Sequence, residues 1–354
     1  MKYIQFDTES KYIKDFISLS KKLYKKDNTE NPKEIRQILT NKHPLNNYFK
    51  LAKFLIYDNE KTVARFVITT YQNDDIAYIG FFESIDNEEV AAYLFKIARE
   101  YAKNNNYKKI VGPVDASFWI KYRLKINMFD KIPYTAEPYN KEYYYKMFLN
   151  NNYKVIEHYT SNIYQNVQQE FEHEKFETRY NNFIKNGYKI ESPNMDEFDS
   201  IIRQMYYLLT DLYSDFPIYK NLSEDDFVST FSSYKMIINP QMVKFAYYED
   251  KMVGFFIGIP NYNNRVYHLN LINILKILKT RKKPKEYVML YIGADKEHKG
   301  LGSSLTYSII NELRGKELPC IGALARDGKV TQDYVKELIK DRYEYVLMED
   351  DLSD

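Results

Sequence analysis

The chain is poor in cysteine: Cys320 is the one thiol among 354 residues. A single cysteine excludes an intramolecular disulfide framework and predicts a reducing, cytoplasmic setting. It lies in an apolar run with no neighbouring group to depress its pKa, which predicts a buried, inert thiol. Tryptophan is equally scarce, with Trp119 alone, and the five histidines are scattered, so no metal-ligand spacing is present and no metal is expected. An excess of one charge is also missing. Lys and Arg number 51 against 49 Asp and Glu, a formal net charge of +2, which gives no strong field for nucleic acid. No apolar run is long enough to span a bilayer. Met1–Phe6 reads as a strand and lacks the apolar segment and small-residue cleavage site of a leader peptide. The 36 tyrosines accompany abundant Lys, Asn and Ile and read as compositional bias, so abundance singles out no individual tyrosine.

The length predicts about two domains, each with its own core. In the first half, Lys2–Phe6 is extended and Ile13, Phe16, Ile17, Leu19 and Leu23 have helical spacing. Lys53–Tyr57 and Thr62–Thr70 predict a hairpin, followed by a strand at Ile76–Phe82. Asn87 is placed to cap a helix whose first turn holds Glu88 and Glu89, and Lys108–Val111 returns as a strand ended by Gly112-Pro113. The second half repeats that order: a short strand at Tyr188–Ile190, a helix near 196–212, a hairpin of Phe245–Tyr248 with Met252–Ile259, and a strand at Tyr287–Ile292. A glycine-bearing turn, a helix to Leu313, a strand at Cys320–Leu324, a helix over Val330–Ile339 and a strand at Tyr343–Met348 follow. This is a duplication of architecture without duplication of sequence. The charged stretch Gln165–Phe183 predicts the boundary between the halves.

The segment carrying chemistry runs Glu297-His298-Lys299-Gly300-Leu301-Gly302-Ser303-Ser304. A strand, a polar turn and a helix start form an anion site, because the first N–H groups of a helix lack intrahelical partners and its dipole favours negative charge. Two glycines let a phosphate approach the backbone closely. The corresponding stretch of the first half, Glu83-Ser84-Ile85-Asp86-Asn87-Glu88-Glu89, is acidic and without glycine, and predicts repulsion of a phosphate.

This element order, with its glycine turn between a fourth strand and a third helix, resembles the Gcn5-related N-acetyltransferase (GNAT) superfamily. The family's pyrophosphate loop reads Gln/Arg-x-x-Gly-x-Gly/Ala; here Gly300 and Gly302 match and Glu297 replaces the leading basic or amide residue. Gly112-Pro113, Ser117-Phe118, Tyr139–Tyr144, Asn152-Tyr153, Gly254-Phe255-Phe256 and Pro260–Asn263 together resemble a bacterial group of GNAT-like proteins with tandem domains. The resemblance implies an α/β fold (α+β, mixed sheet). Two GNAT-like domains are implied, each a mostly antiparallel sheet flanked by helices. A degenerate domain would span 1–165 and a cofactor-holding domain 166–354. Acetyl-CoA is the implied co-substrate and an amine, small molecule or peptide, the implied acceptor, with no nucleic-acid or membrane partner and a monomeric or homodimeric chain.

By the same resemblance, Ile292, Gly293 and Ala294 would offer backbone groups to the acetyl carbonyl and pantetheine amides. His298, Lys299, Gly300, Leu301, Gly302, Ser303 and Ser304 would surround the phosphates. Tyr334, one residue from the aligned position at Val335, would protonate the departing thiolate, and Asn263, Arg265 and His268 would contact the acceptor. Asp211, Asp215 and Glu286 are the carboxylates the element order brings near. With Glu297 at the loop and no aligned tyrosine, the alternative is a non-catalytic acyl-CoA-binding or regulatory protein. Leu271–Leu278, followed by Lys279, Arg281, Lys282, Lys283 and Lys285, can be read as a membrane-surface element, but so short a run predicts a helix packed on the domain with a solvated basic end.

Overall fold

The computed structural model describes residues 1–353. In chain order the first elements are β1 (Lys2–Phe6), α1 (Ser10–Tyr24), α2 (Pro32–Leu39), β2 (Lys50–Asp58), β3 (Lys61–Thr70), β4 (Ile76–Ser84), α3 (Glu88–Asn104), β5 (Lys109–Gly112), β6 (Val114–Asp115), β7 (Lys121–Tyr122) and β8 (Leu124–Lys125). Then come α4 (Tyr144–Asn150), β9 (Lys154–Tyr164), α5 (Glu174–Lys185), β10 (Lys189–Glu191), α6 (Phe198–Tyr213), α7 (Glu224–Phe231), β11 (Val243–Tyr248), β12 (Lys251–Pro260) and α8 (Leu271–Lys282). The chain closes with β13 (Tyr287–Ala294), α9 (Leu301–Leu313), β14 (Cys320–Arg326) and β15 (Ile339–Asp351).

Two compact units result. One holds Met1–His158 with Glu344–Asp354 and the other Tyr159–Tyr343. In the first, β1, β2, β3 and β4 pair antiparallel in sequence, β4 pairs β5 parallel, and β5 pairs β15 antiparallel. In the second, β10, β11, β12 and β13 pair antiparallel in sequence, β13 pairs β14 parallel, and β14 pairs β9 antiparallel. The order of strand senses is the same in both, as the duplicated pattern predicts.

The structure corrects the expected limits of the halves at both ends. The C-terminal strand, assigned by sequence to the second half, pairs with β5 from Met348↔Gly112 to Asp351↔Lys109. Its Val346 and Met348 enter the first unit's core, within a continuous buried apolar run, Tyr345–Met348, which says that the strand is covered on both faces and not whose core it meets. The charged stretch 165–183, expected to hold the boundary, lies inside the second unit. Phe176, Tyr180 and Phe183 recur on one face of α5, and Phe176 is buried in the second core beside Leu301, Leu305 and Ile309.

In the first unit, Phe54 stacks on Phe66 with centroids 4.7 Å apart, while Leu94, Phe95 and Ala98 of α3 and Phe148 of α4 complete the core. In the second, α9 and α6 cover opposite sheet faces. A side chain at Gly254 would meet Leu301 and Leu305 of α9, whereas one at Gly293, opposite the neighbouring Phe255, would meet Leu212 of α6.

Candidate functional site

The site in the second unit begins where two parallel strands part. The pairing of β13 with β14 covers Tyr287↔Cys320, Val288↔Ile321 and Met289↔Gly322. Beyond it, β13 continues to Ala294 against β12. β14 turns away at Leu324, which has φ +59° and donates its N–H to Ser161 Oγ at 2.9 Å. The divergence coincides with a register shift on the other edge of β13: Ile257 pairs Tyr291 and Gly258 pairs Met289, leaving Leu290 as the bulged residue. A bulge re-aims backbone groups, and here it does so at the mouth of the opening between the strands.

At the end of β13 the chain makes the turn into α9. Gly300 occupies the N-cap with φ +94°, a conformation that a residue with a Cβ adopts only under strain, and no side chain caps the helix. Ile292, Gly293, Ala294, Gly300 and Gly302 are partly accessible, Lys299 is exposed, and Leu301, Ser303 and Ser304 are buried. Ser303 Oγ donates to the Gly300 carbonyl at 2.7 Å and so holds the turn closed. His298 is drawn sideways: Nδ1 lies 2.6 Å from the Tyr188 hydroxyl, and its ring also packs near Tyr248. Lys296 lies 4.0 Å from Asp215.

Two residues meet at this turn that sequence spacing did not bring together. Arg179, from α5, donates to Ser303 Oγ at 3.1 Å, and its Cδ would lie 3.5 Å from a Cβ on Gly300. It brings a guanidinium to the turn, where the sequence itself places the carboxylate of Glu297. Its signal was the heptad-like apolar face of 176–183, which makes 179 a helical position. The second residue is Tyr334. The predicted helix at Val330–Ile339 does not form: short 3-10 turns at Val330–Asp333 and Lys336–Leu338 flank an extended Tyr334 and a left-handed, buried Val335. Tyr164 donates to the Tyr334 carbonyl at 3.1 Å and Asn162 to the Gln332 carbonyl at 2.7 Å, hydrogen bonds that tie the segment to β9 instead of a helical ladder. The Tyr334 hydroxyl therefore stands over Gly302, 3.0 Å from where a Cβ would be. Burial raises its pKa, with Arg179 pulling the other way, so the hydroxyl remains a neutral donor.

Asn263, Arg265 and His268 lie on the 3-10 turn Asn263–Tyr267 and its cap, at the opposite end of β13 from the glycine turn. The turn is tied to the start of β13: Asn261 N–H donates to the Glu286 carbonyl at 2.8 Å, its amide to the Glu286 carboxylate, and its Oδ1 accepts from Asn263 N–H at 2.9 Å. Burial raises the Glu286 pKa, against the Asn261 hydrogen bond. Cys320 is fully buried and its thiol is pushed up to about 12 by desolvation, as an inert core cysteine should be. Among the described residues no group of His, Cys, Asp and Glu is arranged to hold a metal ion.

The equivalent place in the first unit is filled by the chain itself. β4 and β5 also pair over three residues, from Ile76↔Lys109 to Tyr78↔Val111. Beyond them β6 runs beside β4 so closely that a Cβ on Gly80 would fall 1.8 Å from the Val114 carbonyl oxygen. Phe81, at φ +46°, donates its N–H to the Asp115 carboxylate. Asp115 is in turn 2.9 Å from Lys121. Behind it Arg65, fully buried, bonds to Glu30 and to the Phe16 carbonyl and lies 3.9 Å from Glu83. Burial pushes Glu83 up to about 7 against the attraction of Arg65, and Tyr144 donates to it at 2.5 Å. The cavity among these groups measures about 30 Å³, room for a water or two and not for a cofactor. At the head of α3, Asn87 Oδ1 accepts from Val90 N–H at 3.0 Å, so the helix start is capped from within.

No family model and no curated protein matches the sequence. Solved structures do. A tandem GNAT protein from the clavulanic acid biosynthesis pathway, determined without acetyl-CoA, superposes with a TM-score of 0.53 at 9% identity, covering 100% of this chain and 99% of that one. A GCN5-related N-acetyltransferase from Sphaerobacter thermophilus aligns over 99% of this chain and 96% of its own, at 10% identity and a TM-score of 0.47. At 9% identity the likeness to the tandem GNAT protein speaks of fold, and with the repeated strand senses, the parted parallel pair and the glycine turn it gives the conclusion that this chain has the tandem GNAT fold.

Proposed function

We propose that the chain is an N-acetyltransferase that uses acetyl-CoA, held by the second unit alone, to acetylate an amine. The observation that carries the reading is the uncapped start of α9, with Gly300 at φ +94°, at the mouth of the parted β13 and β14. The residues present fit an anionic, elongated cofactor. Backbone N–H groups of the turn, the Arg179 guanidinium and the Tyr334 hydroxyl suit phosphate oxygens, and Lys299 adds exposed positive charge. The edge of β13 from Leu290 to Ala294 suits the amides of a pantetheine arm. When bound, acetyl-CoA supplies an activated acetyl thioester.

The bulge at Leu290 offers backbone donors to the carbonyl oxygen as charge develops on it. The acceptor amine, a small molecule or a peptide, approaches from the end of β13 where Asn263, Arg265 and His268 lie. Glu286 stands at that end, and its raised pKa would suit it to take one proton from the ammonium. As the amine nitrogen bonds the acetyl carbon the carbon–sulfur bond would break, and coenzyme A would leave as the thiol with the second proton shed by the new amide nitrogen. Isothermal titration with acetyl-CoA tests the binding; no heat at millimolar cofactor overturns the proposal. Thiol release over a panel of amines tests the transfer.

One observation favours a second reading, an acyl-CoA-binding protein without transfer. Tyr334 has its hydroxyl beside Gly302 of the glycine turn, which suits it to hold a phosphate oxygen better than to protonate a thiolate. Binding without thiol release across the panel selects this reading.

A further inference from the structure

Helix α8 turns its apolar stripe outward. Leu271, Ile274, Leu275 and Leu278 follow i, i+3, i+4, i+7 spacing and form one face, yet they are 82, 40, 67 and 47% exposed. The expected packing of this run on the domain is thus corrected: among the described residues of α8 only Ile277 is buried. The helix is nonetheless fixed in place. Asn270 caps it through Asn273 N–H at 2.9 Å, and Arg281 Nε donates to the Ile238 carbonyl at 3.0 Å. Charge accompanies the stripe. Residues 271–285 contain Lys276, Lys279, Arg281, Lys282, Lys283 and Lys285 and no Asp or Glu, in a chain whose net charge is only +2.

We propose that α8 is a docking surface for an anionic lipid bilayer, lying in the interface plane with Leu271, Ile274, Leu275 and Leu278 inserted and its lysines at the headgroups. An amphipathic helix with a basic rim has this mode of binding, in which apolar burial and attraction to anionic headgroups act together. The charge pattern selects the occupant. A second copy seated on the same stripe would bring its own six cations against these six, which like-charge repulsion disfavours. A bilayer of anionic lipid offers apolar depth and negative charge at once. This inference stands apart from acetyl transfer and would hold for a non-catalytic chain as well.

The test is co-sedimentation of the full chain with vesicles of phosphatidylcholine alone and of phosphatidylcholine with phosphatidylglycerol. Binding to the anionic vesicles only, weakening as salt is raised, is expected. The double variant Leu275→Asp/Leu278→Asp should lose binding altogether. Lys279→Glu/Lys282→Glu should weaken it by about tenfold or more. Both pairs are surface substitutions, and unchanged thermal unfolding together with unchanged acetyl-CoA titration would show that each variant is folded. Three results would overturn the proposal. One is no sedimentation with anionic vesicles at low salt. Another is sedimentation indifferent to the leucine substitutions. The third is a lipid-free, concentration-dependent dimer that the leucine variant abolishes, which reassigns the stripe to a second copy.

Discussion

The heads of α3 and α9 stand at equivalent places in two sheets of identical strand sense, and they are finished in opposite ways. At α3, Asn87 bonds Val90 N–H, Glu88 and Glu89 follow, and Asp115 answers the N–H of the residue at positive φ in β4. At α9 a glycine at positive φ takes the cap, no side chain closes it, and Arg179 and Tyr334 approach from outside the motif. The lesson is that a parted parallel pair followed by a helix leaves an open helix start by default, which the proposed function reads as an anion site. Whether the site is available is decided by a few side chains. One unit closes the place with its own carboxylate and amide; in the other no side chain caps the helix.

The comparison is broken most forcefully at Gly300. A Gly300→Val variant places a β-branched residue at φ +94°, which costs roughly 1–3 kcal/mol of backbone strain and moves the turn. Acetyl-CoA affinity should fall about 100-fold or more, an effect of about 3 kcal/mol by calorimetric titration. In the first unit the sharpest probe is Glu83, whose folded pKa of about 7 exceeds the ordinary 4.5. The folded state therefore holds a proton that the unfolded state releases first. Stability from this group is fully present below 4.5 and is lost as pH rises towards 7. Chemical denaturation between about pH 5 and about pH 7 should show a decline of a few kcal/mol that is flattened in Glu83→Gln.

Smaller effects sharpen the contrast. Arg179→Ala should weaken acetyl-CoA binding by about tenfold, as loss of one charge-assisted contact implies, and should lessen its salt sensitivity. Titration at two salt concentrations checks it, and an unaltered affinity would remove Arg179 from the site. Asn87→Ala should cost about 1 kcal/mol of stability in denaturant melts and leave acetyl-CoA binding untouched. A change in cofactor affinity there would mean that the first unit's helix start is a ligand site after all.

Most of the scaffold was legible in the sequence because its signals are local. The hairpins, the Asn87 cap, the periodicity of α1 and the glycine turn before α9 each lie within a few turns of chain. What closes the two sheets was not legible: β15 was read as a strand at Tyr343–Met348, but its continuous buried run Tyr345–Met348 does not name its partner, and β9 carries no clean apolar alternation. The helix expected at Val330–Ile339 failed for a related reason: its backbone groups find partners on Asn162 and Tyr164, some 170 residues away. Of the site, the two glycines were readable as a turn demanding positive φ. Arg179 was hidden because its proximity to Gly300 is a product of α5 packing on α9, and the charged residues around it mask the apolar face that achieves this. The plug of the first unit was half visible, as an acidic loop; that Asp115 completes it depends on β6 folding back beside β4.

The measurement that bears most directly on the inequality of the two units is the stoichiometry of acetyl-CoA binding by isothermal titration of the full chain and its Gly300→Val variant. A single site per chain, absent in the variant, is the predicted result. Two sites per chain, or one site that survives the substitution, would contradict it.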